Sequence, residues 1–315
     1  MGKIRLLTED VIGKIAAGEV VERPAAAIKE MVENSLDAGA SAITVEIKEG
    51  GIQSIRVTDN GAGIPQSDIR MAFERHATSK IVTAEDLVHV QTLGFRGEAL
   101  ASIAAVSKVT CITKTKADGS GIKVQNEGGA IVSIEETACP QGTTIVVKDL
   151  FYNTPVRLKF LKKPATEASY VTDYMMRLIL SRPDVSFRYI SQGKVIYHSP
   201  GDGQLKSAAY SVYGKELLRY MREVKGNQAG LLVNGYVGLG EGARGNRNHQ
   251  TFLINGRYMR SNILSEALEN ACRERVMIGK YPSCVLHITM PFDKVDVNVH
   301  PNKLEVRFQE ETEIQ

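Results

Sequence analysis

Apolar residues recur at three- and four-residue intervals through Ile28, Met31, Val32 and Leu36, the mark of a helix that buries one face. This helix is predicted to begin near Pro24, a favoured first-turn residue, and to stop at Gly39. Glu30, Asn34 and Asp37 then lie toward another face. A shorter helix is expected before it, with Thr8 as N-cap, Glu9 and Asp10 in the first turn, Leu7 and Ile12 as a staple, and Gly18 just past its end. The period then changes to two. Ile43, Val45 and Ile47 alternate with polar residues, and Gly50–Gly51 turns the chain into IQSIRVTD, which predicts a hairpin. Alternation returns over 107–114, 121–126, 130–135 and 143–150, and helices are predicted over 96–105, 155–162 and 166–181. Successive strands joined by short turns imply a mostly antiparallel sheet with helices on one face, an α+β arrangement.

The segment HSPGDGQ (198–204) reads as a linker, which divides the chain into domains 1–203 and 204–315. Beyond it the pattern restarts with a helix near 204–213, strands near 229–240 and 249–255, and a helix from about 262 to 276. Ile263, Leu264, Ala267, Leu268 and Ala271 make that last helix amphipathic, and strands near 283–290 and 295–299 follow. GLGEGARGNRN (238–248) has the composition of a mobile loop.

A chain of 315 residues fits two domains, and 43% hydrophobic with 24% charged residues is ordinary for globular cores. A net charge of +3 does not advertise a nucleic-acid partner, so any such surface must come from local clustering. The four cysteines form no CxxC pair, which favours reduced thiols over a zinc site or a disulfide framework. No apolar run approaches the roughly 20 residues of a membrane span. The N-terminus lacks the apolar stretch of a signal peptide, so a soluble intracellular protein is expected.

Chemistry concentrates between Glu30 and Gly63. On a helix, residues four apart are neighbours, so Glu30 is placed to hold an attacking water while Asn34 offers a carbonyl oxygen to magnesium. Mg²⁺ suits that role because it keeps several waters and takes phosphate oxygens beside one protein ligand. A glutamate on an amphipathic helix is ordinarily just solvated. The following strand, however, ends at Asp59 in VTDNGAGI (57–64). A carboxylate there can accept a hydrogen bond from an adenine amino group, with Gly61 and Gly63 allowing close backbone approach. A tight turn alone would favour the same residues. LGFRGEALASI (93–103) sets two glycines at a helix start, where backbone N–H groups can cradle phosphates. RHATSKI (75–81) has the polar composition of a lid, and no P-loop pattern occurs.

Seven strings then read together: IAAGEVVERPAAAIKEMVENSLDAGA (15–40), DNGAGI (59–64), ATSKI (77–81), GFRGEAL (94–100), GTT (142–144), LFYNTPVRLKFL (150–161) and DVNVHPNKLEVRF (296–308). In order and nearly end to end, they resemble the N-terminal ATPase region of the MutL family of DNA mismatch-repair proteins. That family belongs with gyrase B subunits, ninety-kilodalton heat-shock chaperones and histidine kinases.

The resemblance implies an α/β-sandwich nucleotide domain of the Bergerat type, followed by a smaller α+β domain of the ribosomal-protein type. It implies ATP and Mg²⁺ as cofactors, with Glu30 as general base, Asn34 as magnesium ligand, and Asp59, Gly61, Gly63 and Thr143 around the adenine. Thr78, Ser79 and Lys80 would sit in the lid. Gly94, Phe95, Arg96, Gly97, Glu98, Ala99 and Leu100 would wrap the phosphates, and Lys303 would reach the γ-phosphate from the second domain. It also implies slow turnover, homodimerisation on ATP binding and a MutS-type mismatch-recognition partner. Basic residues cluster at Arg157, Lys159, Lys162 and Lys163, and again at Arg244, Arg247, Arg257 and Arg260. Such clusters can track DNA phosphates without reading bases, although ordinary solvated charge has the same look. A nucleotide-gated recruitment module with incidental hydrolysis is the alternative. A topoisomerase ATPase region is disfavoured by GFRGEAL and FYNTPVR, and a histidine kinase by the complete second domain.

Overall fold

The computed structural model describes residues 8–77, 97–228, 230–291, 295–296 and 307–308. The chain divides into two units, Met1–Met175 with Val185–His198, and Met176–Asp184 with Ser199–Gln315.

In the first unit, helices α1 (Glu9–Val20) and α2 (Pro24–Asp37) precede strands β1 (Ala42–Lys48) and β2 (Ser54–Asp59). Then come α3 (Ala99–Ala105), β3 (Lys108–Lys114), β4 (Gly121–Glu127), β5 (Ala130–Thr137), β6 (Gly142–Lys148), α4 (Pro155–Phe160), α5 (Pro164–Ser181), β7 (Ser186–Ser191) and β8 (Lys194–Pro200), with the ends of α5 and β8 belonging to the second unit. The strands form one eight-stranded sheet in the order β5-β4-β3-β6-β2-β1-β7-β8. β1 pairs antiparallel with β2 and parallel with β7. The pattern 3-4-3 of α2 emerges as a buried stripe of Pro24, Ala27, Ile28, Met31, Val32, Ser35 and Leu36. One member of that stripe is polar.

Strand register explains where the site falls. Across the sheet, Val45, Val57, Ile145, Cys111 and Val124 form one transverse row, and all are buried. Two residues further along each strand, on the same face, the row reads Ile43, Asp59, Thr143, Thr113 and Ile122. The apolar face therefore turns polar at its three middle strands, beside α2, which packs on β1 and β2. β3 and β4 carry α3 against them, and α3 also packs on α1 and α2.

The second unit carries α6 (Leu205–Arg219), β9 (Met221–Gln228), β10 (Leu231–Gly238), β11 (Gln250–Ile254), β12 (Arg257–Met259), α7 (Asn262–Ala271), β13 (Ser283–Thr289), β14 (Val295–Asp296) and β15 (Arg307–Phe308). Its five-stranded sheet runs β12-β11-β13-β10-β9, with β11 and β13 parallel. Leu264 and Leu268 of α7, with Cys272 just past its end, pack with Phe252, Ile254, Leu286 and Ile288. Ser261 caps α7, its Oγ accepting the Leu264 N–H at 3.2 Å.

Several expectations change. Gly18 lies inside α1 rather than beyond it, because it is a notch: a side chain there would run into the Arg157 guanidinium. Thr8 occupies the N-cap position but its hydroxyl makes no capping bond. HSPGDGQ begins inside β8, so the chain turns only after Pro200. The stretch 238–248 is braced by backbone bonds between Arg244 and Tyr281, N to O at 2.8 Å in both directions. Strands β7, β8, β9 and β12 have no counterpart in the expected elements; their alternation is weak or too short to register.

Candidate functional site

Asp59 is the centre of the polar row. It is only 9% exposed, and its carboxylate accepts three protein hydrogen bonds. Oδ1 receives the Gly61 N–H at 2.9 Å and the Thr143 N–H at 3.2 Å. Oδ2 receives the Ser35 hydroxyl at 2.7 Å. Behind it, the Thr113 hydroxyl accepts the Ile64 N–H at 2.9 Å and meets the Thr143 hydroxyl at 3.0 Å. The DNGAGI turn, the GTT strand and α2 are thus tied to one carboxylate. Asn60 is structural: its Oδ1 accepts the N–H groups of Ser41 and Ala42, each at 2.9 Å, pinning the turn to the start of β1.

The glycines of this corner answer first to the protein itself. At Gly63 (φ 77°) a side chain would run into the Lys114 carbonyl, and at Gly142 (φ 117°) into the Asp59 carbonyl. Close backbone approach is therefore required between β2, β3 and β6 before any ligand enters. Cys111, buried in the adjacent apolar row, has its thiol pushed up to about 12, by burial first and then by the Asp59 charge.

Glu30 and Asn34 sit one turn apart on α2, half-buried and exposed respectively. Lys29 reaches both Glu30 (3.7 Å) and Glu33 (3.6 Å). Burial, Glu33 and Glu30 together push the Tyr174 phenol of α5 well above its ordinary value, so carboxylate charge is concentrated on this side of α2. Gly97, Glu98, Ala99 and Leu100 open α3, and Glu98 pairs with His76, Oε1 to Nδ1 at 2.9 Å. Thr78, Ser79, Lys80, Gly94, Phe95, Arg96 and Lys303 lie outside the described residues.

The basic candidates divide. Arg157 is turned inward: it donates to the Ile15 carbonyl at 3.4 Å and packs over Gly18. Arg247 forms a bidentate pair with Glu269, at 2.8 and 2.9 Å, and lies over the Tyr281 ring. Arg244 donates to the Glu241 and Ala243 carbonyls, each at 3.0 Å. Each of these three guanidiniums therefore has at least one partner within the chain. Lys159 and Arg260 are exposed and Arg257 half-buried. An open groove of about 670 Å³ in the second unit, lined by Lys206, Lys225, Asn234 and Tyr236 among others, contains none of the expected site residues.

Ser35 and Thr113 are absent from the sequence expectations. The signal for Ser35 was present: a hydroxyl four residues after Met31 within an otherwise apolar stripe. Thr113 reads as an ordinary strand residue, and only register reveals it.

Residues 22–143 match the family described as histidine kinase-, DNA gyrase B-, and HSP90-like ATPase, which is the class of domain that the polar row and α2 define. Residues 209–315 match the C-terminal domain of DNA mismatch repair proteins. The DNA mismatch repair protein MutL of Agathobacter rectalis is 50% identical over 314 residues, covering 100% of this chain and 48% of that protein. The MutL of Desulforamulus reducens is 50% identical over 316 residues, covering 100% and 49%. Among solved structures, the N-terminal domain of a DNA repair protein gives a TM-score of 0.80 at 26% identity, covering 96% of this chain and 94% of that one. The Aquifex aeolicus MutL ATPase domain complexed with ADP gives 0.68 at 29% identity, covering 86% and 93%.

The chain belongs to the MutL family of DNA mismatch-repair proteins. It spans about half the length of the curated relatives it matches. Among the described residues no helix is long and apolar enough to cross a membrane.

Proposed function

We propose that this chain binds Mg-ATP in the cleft under α2, hydrolyses it slowly, and uses the nucleotide as a switch in DNA mismatch repair. The observation that carries the reading is the Asp59 carboxylate, nearly buried at a strand end and held by the Gly61 and Thr143 N–H groups. Such an acceptor-only group, fixed in direction, suits the amino group of adenine.

Magnesium fits the donor set. Glu30 and Asn34 offer hard oxygen atoms on one helix, and no group of three or more His, Cys, Asp or Glu residues could hold a metal among the described residues. An ion that takes most of its ligands from water and phosphate is what such a sparse set accommodates. When bound, it would neutralise phosphate charge. Asn34 would hold it through the carboxamide oxygen, and Glu30 would accept a proton from the attacking water. Gly97 to Leu100 and the residues before them would present backbone N–H groups to the phosphates, and Lys303 would approach the γ-phosphate.

ATP-dependent homodimerisation, non-specific DNA binding and a MutS-type partner complete the proposal; family membership supports them. Lys159 and Arg260 are exposed and Arg257 half-buried, and they are DNA candidates together with Arg157, Arg244 and Arg247. Calorimetric titration of the chain with ATP, with and without magnesium, alongside phosphate release, tests the core of this reading. Saturable, magnesium-dependent binding with slow release of phosphate is expected; no binding of either ATP or ADP would sink it.

A further inference from the structure

We propose that Ser35 is a positioning residue for base recognition, acting through Asp59; this rests on the reading of the cleft as an ATP site. An ionised carboxylate offers about four in-plane acceptor directions, two on each oxygen. In Asp59 both directions of Oδ1 are filled, by the N–H groups of Gly61 at 2.9 Å and Thr143 at 3.2 Å. One direction of Oδ2 is filled by the Ser35 hydroxyl at 2.7 Å. A single acceptor direction remains. A base that meets this carboxylate must bring one N–H along one line, as the exocyclic amino group of adenine does. A carbonyl in that place would set one lone pair against another.

The Ser35 hydroxyl has one hydrogen and two acceptors within reach, Asp59 Oδ2 at 2.7 Å and the Met31 carbonyl at 3.1 Å. If the hydrogen turned to Met31, an oxygen lone pair would face the Asp59 carboxylate at the shorter distance. An ionised Asp59 therefore holds the hydroxyl in its donating orientation. Ser35 is 4% exposed, so water has little access to replace it. Without the hydroxyl, Oδ2 would have two open directions and the carboxylate would lose one of its three restraints. Ser35 also follows Asn34 on α2, so the orientation of the base and the proposed metal ligand are set by adjacent residues of one helix.

The test compares ATP with the triphosphate of purine riboside, which lacks only the amino group, by calorimetry with magnesium present. Ser35→Ala should lose about 5- to 10-fold in ATP affinity, a fraction of what one hydrogen bond to a charged group contributes. Affinity for the amino-free analogue should change less than about twofold, so the preference for ATP shrinks by nearly the whole factor. Turnover at saturating ATP should hold, and Ser35→Thr, which keeps the hydroxyl, should restore the preference. Retained analogue binding shows that the variant is folded. Equal losses for both nucleotides, or an unchanged ATP affinity, would overturn the proposal. If the parent chain binds neither nucleotide, the ATP reading itself fails and this inference with it, a result distinct from a parent that binds ATP and a variant that discriminates just as well.

Discussion

The guanidinium of Arg247 and the carboxylate of Glu269 meet edge to edge, Nε to Oε1 at 2.8 Å and Nη2 to Oε2 at 2.9 Å. Burial works against the charged carboxylate, yet hydrogen bonds from Arg247 and Gln250 and the Arg247 charge hold Glu269 below the usual carboxylate range. A fork already filled in this way has little left for a phosphate. Arg247→Ala should therefore leave DNA retention nearly unchanged. The double variant Arg257→Glu, Arg260→Glu should weaken it and flatten its salt dependence by about 0.9 in log–log slope for each phosphate that is no longer neutralised. Fluorescence anisotropy over a salt series separates the two. A steep loss from Arg247 alone, or an unmoved slope in the double variant, would reassign the surface.

Glu30 and Asn34 share a helix face but are given different tasks, and their variants should fail differently. Glu30→Ala should keep ATP binding within a few-fold and slow phosphate release by about 100-fold or more, as expected for loss of a general base. Asn34→Ala should lose magnesium-dependent binding itself. Normal magnesium-dependent affinity in Asn34→Ala would remove it as a metal ligand, and unchanged release in Glu30→Ala would remove it as the base.

Lys303 is assigned to the γ-phosphate, a group that ADP lacks. Lys303→Ala should then weaken ATP by about 10-fold, the scale of a charge-assisted bond, while ADP affinity stays put. Equal losses for the two nucleotides would place the lysine elsewhere.

Period and punctuation made the first unit legible as far as β6, because β1, β2, β3 and β6 alternate and most of the turns between strands carry glycine or proline. They also put Glu30 and Asn34 one turn apart on a helix and Asp59 at a strand end, since helix spacing and a strand-terminal Asp-Asn-Gly are local signals. What sequence could not supply was register. Only pairing across β2, β6 and β3 puts Asp59, Thr143 and Thr113 in one row, and only the packing of α2 brings Ser35 to the carboxylate. The parallel pairing of β7 with β1 was hidden for a related reason: the two strands lie far apart in sequence, and the short Gln192–Gly193 turn announces only β8. The partners of Arg157 and Arg247 were equally illegible, because a basic residue looks the same in sequence whether or not a carbonyl or carboxylate of the chain lies beside it.

The thiols give a test of the core that needs no nucleotide. Cys111 and Cys284 are fully buried, and burial pushes both upward, Cys111 to about 12. An unfolded thiol titrates near about 8.5, so above that pH the unfolded chain releases protons that the folded chain retains. The sign follows: these groups contribute their stability fully below about pH 8.5, and it is lost as pH rises toward the folded values, at roughly 1.4 kcal/mol per pH unit for each thiol. Denaturant unfolding at pH 8 and pH 10 should show that fall, and Cys111→Ala should reduce its slope whatever the substitution does to stability at pH 8. Thiol reagents supply the complementary reading. Cys139, which is only partly buried, should react rapidly in the folded chain, while Cys111, Cys272 and Cys284 should react only on unfolding. Rapid native-state modification of Cys111 would mean that water reaches the apolar row beside Asp59, and the burial of that row would have to be abandoned.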